Sequence, residues 1–402
     1  MAKLQTAWGI DIGNNSLKAL RLRASQDGAA VVPEAIHCHE YPRPLDHPDA
    51  HMPTLIEEAV DQFITNRNIA VGEPIAVNVS GRCSMARFMR PPPVMEDKLP
   101  DIVKYEARQM IPFDLEDVYW DWVRTWGFSE QGMAIDGEFM LQAVKRPIVD
   151  ELVQPFKDRK VRVRIMQSDP IALMNALYFD RLQDDLANYD PDDDVEDEPY
   201  YAVLSIGGAS TELLLTNGFK IWHRNIPLGG SHFTRQIGQE LKLTFAKAEY
   251  LKINARTASD PMPIFKAVKS VFEDLAVETK RSLSYFASIE KKAQIKMVLL
   301  TGGGTLLPGL SNFLQTQLTD VESVEPWASY SKMQDTNKIM TEEHGWSGPL
   351  FRVAYGLGLQ ALGISRFKTN MVGKKASAVF SFSSLFSSLK RWIPRVRIDW
   401  ER

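Results

Sequence analysis

Apolar residues along this chain recur with two different periods, which together predict a mixed α/β protein. The segment 74–80 is a run of apolar and β-branched residues typical of a buried strand. Between 54 and 67 the apolar residues instead recur at three- and four-residue steps and share one helix face. The same periods predict further strands over 118–126 and 138–144, a hairpin over 201–225, a strand, turn and helix over 296–318, and helices over 98–110, 147–159, 168–182, 230–242, 245–255, 262–287 and 350–363. Strands that alternate with helices in this way favour stacked α/β layers.

Two of the predicted strand pairs are joined by glycine-rich turns of matching sequence. Residues 11–16 read DIGNNS and residues 205–210 read SIGGAS, and an apolar run precedes and follows each turn. Hairpin turns that expose backbone N–H groups and small polar side chains can hold a polyphosphate from two sides. The recurrence also suggests two similar lobes with a cleft between them.

A third glycine segment strengthens the prediction of a nucleotide cleft. Residues 297–310, MVLLTGGGTLLPGL, read as a buried strand, a three-glycine turn and a helix start. Glycine lets the backbone pass close to a flat ligand, and a helix N-terminus favours negative charge. The sequence contains neither the G-x-x-x-x-G-K-[ST] phosphate loop nor, at this segment, the G-x-G-x-x-G pattern of dinucleotide-binding folds.

Composition places the chain among soluble globular proteins. It has 402 residues, 44% hydrophobic and 24% charged, enough for two or more subdomains. The net charge of −4 gives no support for nucleic-acid binding, and two cysteines are too few for a disulfide framework. A reducing cytoplasm is the simplest interpretation.

Charge is unevenly distributed along the chain. Residues 184–198 contain nine acidic residues and no basic residue, which is typical of a solvated loop, here between the lobes. Near the C-terminus, basic residues flank an amphipathic stripe of Phe382, Leu385, Phe386, Leu389, Trp392 and Ile393. Two interpretations stay open for residues 378–397: a helix that docks on the protein itself, or one that binds an anionic membrane surface.

Several motifs together resemble the PilM family of type IV pilus assembly proteins. This family lies in the actin-like ATPase superfamily and is related to FtsA. The resemblance extends from about residue 7 to residue 364, and the motifs that carry it are residues 9–18, 106–113, 226–230, 248–252, 300–310 and 353–362.

The resemblance implies an α/β, actin-like (ribonuclease H-like duplicated) two-lobed fold with an inserted α+β subdomain. The expected units are a first lobe of residues 1–73 and 166–183, an inserted FtsA/PilM-type subdomain of 74–165, an acidic loop of 184–199, a second lobe of 200–365 and a basic amphipathic tail of 366–402.

The resemblance also implies a site for ATP and Mg²⁺. The residues that match the family's nucleotide-binding positions are Gly13, Asn14, Asn15, Ser16, Lys18, Gly207, Gly208, Ser210, Glu249, Lys252, Gly302, Gly303 and Gly304. Asp11 matches the carboxylate that holds Mg²⁺, through water. Glu249 and Lys252 match a pair that grips the nucleoside, and Gly302 to Gly304 match the loop on the adenine side.

One departure from the family pattern concerns hydrolysis. The second phosphate turn normally opens with Asp, whereas this chain has Ser205. A neutral hydroxyl cannot fix the metal and the attacking water as a carboxylate does, so we expect slow or no ATP hydrolysis. Nucleotide binding needs only the backbone amides, Asp11 and the metal, and can survive this change.

By resemblance, the chain is expected to be a nucleotide-binding scaffold at the cytoplasmic face of the inner membrane. Its expected partner is a PilN-like inner-membrane protein, bound through that protein's cytoplasmic N-terminal segment beside the inserted subdomain. Two alternatives remain. One is an active ATPase or phosphotransferase with Asp169 as the base, and the other is a filament-forming, membrane-associated protein like MreB or FtsA.

Overall fold

The computed structural model describes residues 6–67, 69–70, 72–130, 132–186, 198–342 and 348–372. Most of the predicted acidic loop and the whole amphipathic segment 378–397 lie outside the described residues. Within the described part of the chain, no helix is both long enough and apolar enough to cross a membrane.

A five-stranded mixed sheet forms the first lobe. Its strands are β1 (Thr6–Ile12), β2 (Ser16–Ala24), β3 (Val31–Glu40), β4 (Ile75–Val79) and β9 (Ile165–Ser168), in the order β3-β2-β1-β4-β9. The pairs β1–β2 and β2–β3 are antiparallel, whereas β1–β4 and β4–β9 are parallel. All five residues of β4 are buried, as expected for the apolar run that predicted it.

The second lobe repeats this sheet strand for strand. Its strands are β10 (Tyr200–Ile206), β11 (Thr211–Thr216), β12 (Ile221–Ile226), β13 (Ile295–Thr301) and β14 (Ser323–Pro326), in the order β12-β11-β10-β13-β14. Again the first three strands in sequence are antiparallel neighbours and the last two pair in parallel. This duplication confirms the prediction of a two-lobed, actin-like α/β fold.

A third sheet is inserted between β4 and β9. It contains β5 (Ser84–Met89), β6 (Val94–Met95), β7 (Val118–Glu130) and β8 (Met133–Lys145), and β8 pairs with the other three. A helix of this insertion, α2 (Leu99–Met110), packs Leu99, Val103 and Ala107 in the same apolar cluster as Phe139 and Leu141 of β8. The insertion is therefore a small α+β subdomain, and it starts later than the predicted residue 74, because β4 (Ile75–Val79) belongs to the first sheet.

Helices cover the sheets near the predicted positions. They are α1 (Met52–Arg67), α2 (Leu99–Met110), α3 (Arg146–Asp158), α4 (Asp169–Leu177), α5 (Gln183–Leu186), α6 (Gly230–Leu241), α7 (Phe245–Ile253), α8 (Met262–Ile289), α9 (Leu310–Gln317), α10 (Ile339–Glu342) and α11 (Arg352–Ala361). The sequence predicts one continuous helix over 168–182. In the structure α4 ends at Leu177 and a π-helical turn, Tyr178–Leu182, follows it.

The helices α4 and α11 cross with their backbones in contact. A Cβ atom built on Gly356 of α11 would lie 1.8 Å from the carbonyl oxygen of Ala172 in α4. A Cβ atom on Gly9 of β1 would lie 1.9 Å from the carbonyl oxygen of Ala354, again in α11. No side chain fits at either contact, so glycine at these positions lets α11 lie directly on both β1 and α4.

A buried ion pair lies beside this crossing. Asp180, in the π turn, accepts a hydrogen bond from Arg352 Nη1 at 2.8 Å and another from the Tyr355 hydroxyl at 2.9 Å. Burial raises the pKa of Asp180 and lowers the pKa of Arg352, because each charge has lost its water. The guanidinium also lies over the rings of Trp327 and Tyr330. Such a pair contributes more to fixing the position of the π turn than to net stability.

The last described residues form a strap over the edge of the first sheet. The backbone N–H of Met371 donates to the carbonyl of Met166 in β9 at 2.8 Å, and that of Asn370 donates to Asp121 in β7 at 2.9 Å. Phe367, Thr369 and Met371 are each about 1% exposed. Residues 366–372, which the sequence assigned to the tail, therefore belong to the folded body.

We expect Gly356→Ala to destabilise the protein by about 3 kcal/mol, because the added methyl meets backbone that cannot rotate away. Gly358→Ala, two residues along α11, is the matched control. There the methyl meets the Cδ1 atom of Leu22, the end of a flexible side chain, and both changes gain the same helix propensity. Urea unfolding measures the two free energies, and equal values for the two variants would contradict the tight crossing.

Candidate functional site

The two matching turns close with the same hydrogen bond. The N–H of Gly13 donates to the carbonyl of Ser16 at 3.0 Å, and the N–H of Gly207 donates to the carbonyl of Ser210 at 2.9 Å. A Cβ atom on either glycine would lie about as close to that same carbonyl oxygen, at 3.1 and 3.0 Å. The similarity read from the sequence therefore extends to backbone geometry.

The turns meet across the two lobes. A Cβ atom on Gly208 would lie 2.2 Å from Oδ1 of Asn15 and 3.1 Å from Cβ of Asn14. Asn14 is fixed by hydrogen bonds: its side-chain amide donates to Asp46 at 2.8 Å, and its backbone carbonyl accepts from the N–H of Leu45. The predicted phosphate turns thus face each other at contact distance, with Asn15 between them.

The three-glycine segment lies against the start of the second turn. Gly302 has a φ of +85°, and a Cβ atom there would lie 2.5 Å from the carbonyl oxygen of Ile206. A Cβ atom on Gly304 would lie 2.3 Å from Cγ2 of the same residue, whereas one on Gly303 would make only an ordinary contact with Leu350. The sequence predicts a helix start directly after these glycines. A single 3-10 turn, Gly303–Leu306, stands there instead, and α9 begins at Leu310.

The predicted nucleoside pair lies beside the second turn. Lys252 Nζ is 2.7 Å from Glu249 Oε2 and also donates to the Thr234 hydroxyl and the Gly230 carbonyl. The N–H of Gly230, at the start of α6, donates in turn to the carbonyl of Gly207 at 2.8 Å. Burial lowers the pKa of Lys252, while the charge of Glu249 opposes that shift.

A polar chain links the predicted metal ligand to the predicted base. Asp11 accepts from Lys18 Nζ at 2.7 Å and from Asn78 Nδ2 at 3.1 Å, and the same Asn78 amide donates to Asp169 at 2.8 Å. Burial and the charge of Asp11 hold the pKa of Asp169 well above its usual range. Among the described residues, no three His, Cys, Asp or Glu side chains are arranged to hold a metal. The role of Asp11 toward Mg²⁺ stays a prediction, and Lys18 would compete for the same carboxylate.

The strands that carry the turns bear different polar side chains in the two lobes. Asp11 lies directly opposite Lys18 in the β1–β2 pair, and Ser205 lies directly opposite Glu212 in the β10–β11 pair. Facing residues of an antiparallel pair project on the same side of the sheet. The second lobe therefore has its carboxylate one strand away from the position where the family pattern expects it.

Glu212 was missed by sequence reasoning, and so were Asn78 and Asn225. Glu212 is 6% exposed, and its Oε1 accepts from Asn225 at 2.5 Å. Burial raises the pKa of Glu212 to about 7, and the hydrogen bond from Asn225 only partly offsets this. A signal was available in the sequence, because Glu212 follows Ser205 at the same interval by which Lys18 follows Asp11.

Three buried polar atoms around the turns have no hydrogen-bond partner among the residues that the structure describes. They are the Tyr41 hydroxyl, Glu212 Oε2 and the Ser231 hydroxyl. Tyr41 is close enough to Asp11 to sense its charge, and the N–H of Ser231 donates to the carbonyl of Gly208. Because buried polar groups are nearly always paired, these atoms fit a site completed by water or by a polar ligand.

Comparison with known proteins gives one family. The model described as "Type IV pilus assembly protein PilM" matches residues 9–362. A chain of the solved "PilM-PilN type IV pilus biogenesis complex" is similar, with 24% identity and a TM-score of 0.71 over 89% of this chain and 98% of that one. The "diol dehydratase-reactivating factor in nucleotide free form" is similar at 10% identity and a TM-score of 0.50, over 90% and 100% of the two chains. At these identities the solved structures show the shared fold alone.

We expect Glu212→Gln to be more stable relative to wild type at pH 8 than it is at pH 5. In the unfolded chain this carboxyl ionises near pH 4.3, whereas its folded pKa is about 7. The stabilising contribution of the protonated Glu212 carboxyl to the free energy of unfolding is thus fully present below about pH 4 and is lost as the pH rises through 7. The difference in unfolding free energy between variant and wild type should shift by about 2 to 3 kcal/mol in favour of the variant between pH 5 and pH 8.

Urea unfolding at the two pH values measures this shift. Glu273→Gln, which alters an exposed carboxylate on α8, is the control and should show no such shift. If Glu212→Gln, like the control, shows no such shift, then Glu212 is not protonated in the folded protein at pH 5.

Proposed function

Because this chain belongs to the type IV pilus assembly protein PilM family, we propose that it is an actin-like, ATP-binding scaffold of a type IV pilus or secretion assembly platform. It acts at the cytoplasmic face of the inner membrane. The single observation that supports nucleotide binding best is the meeting of three glycine bends, two from one lobe and one from the other, around unpaired buried polar atoms.

Each part of the site has a proposed role toward ATP. Residues 13–16 and 207–210 hold the phosphates through backbone N–H groups and small side chains. Glu249 accepts from the ribose, while the stem of Lys252 packs on the base. Asp11 has lone pairs left beyond its bonds to Lys18 and Asn78, so it can hold Mg²⁺ through water. The metal would supply charge neutralisation of the phosphates.

The bound nucleotide sets the degree of closure between the two lobes. Asn15 of the first turn contacts Gly208 of the second, so a ligand held by both turns changes the free energy of lobe closure. Because Ser205 supplies no carboxylate, hydrolysis is slow, and the bound nucleotide acts mainly as a structural element.

We expect Lys252→Met, which removes the ammonium that orients Glu249 toward the ribose, to weaken ATP binding about tenfold, a loss of about 1.4 kcal/mol. Isothermal titration calorimetry with ATP and Mg²⁺ measures the dissociation constant. Lys269→Met is the matched control, because Lys269 also pairs with a carboxylate, Glu273, but on the exposed surface of α8. No heat for ATP or ADP with wild type at millimolar concentration would contradict nucleotide binding itself.

The proposed protein partner is a PilN-like inner-membrane protein, bound through its cytoplasmic N-terminal segment. The name of the similar complex and the family membership support this proposal. The inserted subdomain also presents exposed apolar side chains that suit a peptide, namely Met95, Tyr105, Phe113 and Met133. Met95 and Met133 face each other in the β6–β8 pair, so these two form a continuous exposed apolar surface.

We expect Tyr105→Ala to weaken binding of a synthetic peptide from the cytoplasmic segment of the PilN-like protein about tenfold or more. Tyr285→Ala is the matched control, because Tyr285 is almost equally exposed but lies on α8 of the second lobe. Fluorescence anisotropy of the labelled peptide gives both dissociation constants. Equal weakening by the two changes would place the contact elsewhere.

A further inference from the structure

We propose that Glu212 is the catalytic carboxylate of a slow nucleoside triphosphate hydrolysis, holding and deprotonating the attacking water in place of the missing carboxylate at Ser205. This inference rests on the proposed binding of ATP in the cleft.

The position of Glu212 follows from strand register. It lies directly opposite Ser205, so both side chains project from the same side of the sheet. A glutamate is one methylene longer than an aspartate. A carboxylate displaced by one strand can therefore reach toward the space that an aspartate at 205 would serve.

Glu212 is also linked to the second turn by a single side chain. The Asn225 amide lies 3.0 Å from the hydroxyl of Ser210, in the turn, and 2.5 Å from Glu212 Oε1. This fixes Oε1 and leaves Oε2 as a buried acceptor with no partner in the described part of the chain. A water molecule bound at Oε2 would satisfy that atom and would lie close to the phosphate turn.

The environment suits Glu212 better than Asp169 for this role. Asp169, the base expected from sequence, already accepts from Asn78 and from the backbone N–H of Gly81. Burial and the charges of Asp11 and Glu212 hold its pKa well above its usual range. Burial brings the pKa of Glu212 to about 7, where a carboxylate is both available and basic enough to accept a proton.

The reaction balances with water and a nucleoside triphosphate alone. The water oxygen forms a bond to the γ-phosphorus as the bond from that phosphorus to the β–γ bridging oxygen breaks. The electron pair of the broken bond leaves with the nucleoside diphosphate. The proton of the water passes to Glu212 Oε2 and from there to solvent, leaving inorganic phosphate and the diphosphate as products.

Single-turnover release of phosphate from γ-labelled ATP, with full-length protein in excess and Mg²⁺ present, tests this role. Wild type, Glu212→Gln and Asp169→Asn are compared, and calorimetry measures the ATP affinity of each. We expect Glu212→Gln to keep the dissociation constant within about threefold and to lower the rate constant by about 100-fold or more, as for loss of a general base. Glu212→Asp, which keeps the charge, should retain an intermediate rate.

Three results would overturn the assignment: an unchanged rate in Glu212→Gln with ATP still bound, a loss of rate confined to Asp169→Asn, or no phosphate release at all from wild type that binds ATP. Failure of the proposed nucleotide binding can be distinguished from these results. In that case wild type would give no heat of ATP binding in the calorimeter.

Discussion

The rest of this structure depends on the backbone contact between α11 and its two neighbours, α4 and β1. Gly356 lies against Ala172, and Gly9 lies against Ala354, at distances where no side chain fits. In sequence α11 follows the second sheet, but it packs on β1 and α4 of the first lobe, so this contact ties the end of the second lobe to the first. The lobes also meet at the turns, where Asn15 reaches Gly208.

Duplication gives the two lobes the same frame, but the polar residues on that frame differ. The first lobe has Asp11 facing Lys18, an ion pair at 2.7 Å, whereas the second has Ser205 facing Glu212. The charge of Asp11 is therefore paired within its own lobe. The second lobe keeps a buried carboxyl, Glu212, whose side-chain donor among the described residues is the amide of Asn225. The symmetry of the sheets thus produces a cleft whose two sides have different chemistry.

Local sequence signals were enough for the strands, most helices, the turns and the duplicated fold. Periodicity and glycine placement act over a few residues, and so do the hydrogen bonds that close the turns at Gly13 and Gly207. They could not reveal Asn78 bridging Asp11 and Asp169, because that depends on which strands become neighbours. They also missed the π turn at Asp180, whose side chain is drawn inward by Arg352 from a distant part of the chain. Register and tertiary contacts, rather than local propensity, decided these features.

The strap of residues 366–372 determines where the remaining C-terminal residues are attached. Through Met371 it hydrogen-bonds to β9, the edge strand of the first sheet, and through Asn370 it reaches the inserted subdomain. A shortened protein that ends at residue 365 would lose the buried Phe367 and Met371 along with the amphipathic segment. A truncation meant to remove only that segment should begin after Val372. A force applied beyond Val372 would therefore act first on β9 and on the inserted subdomain.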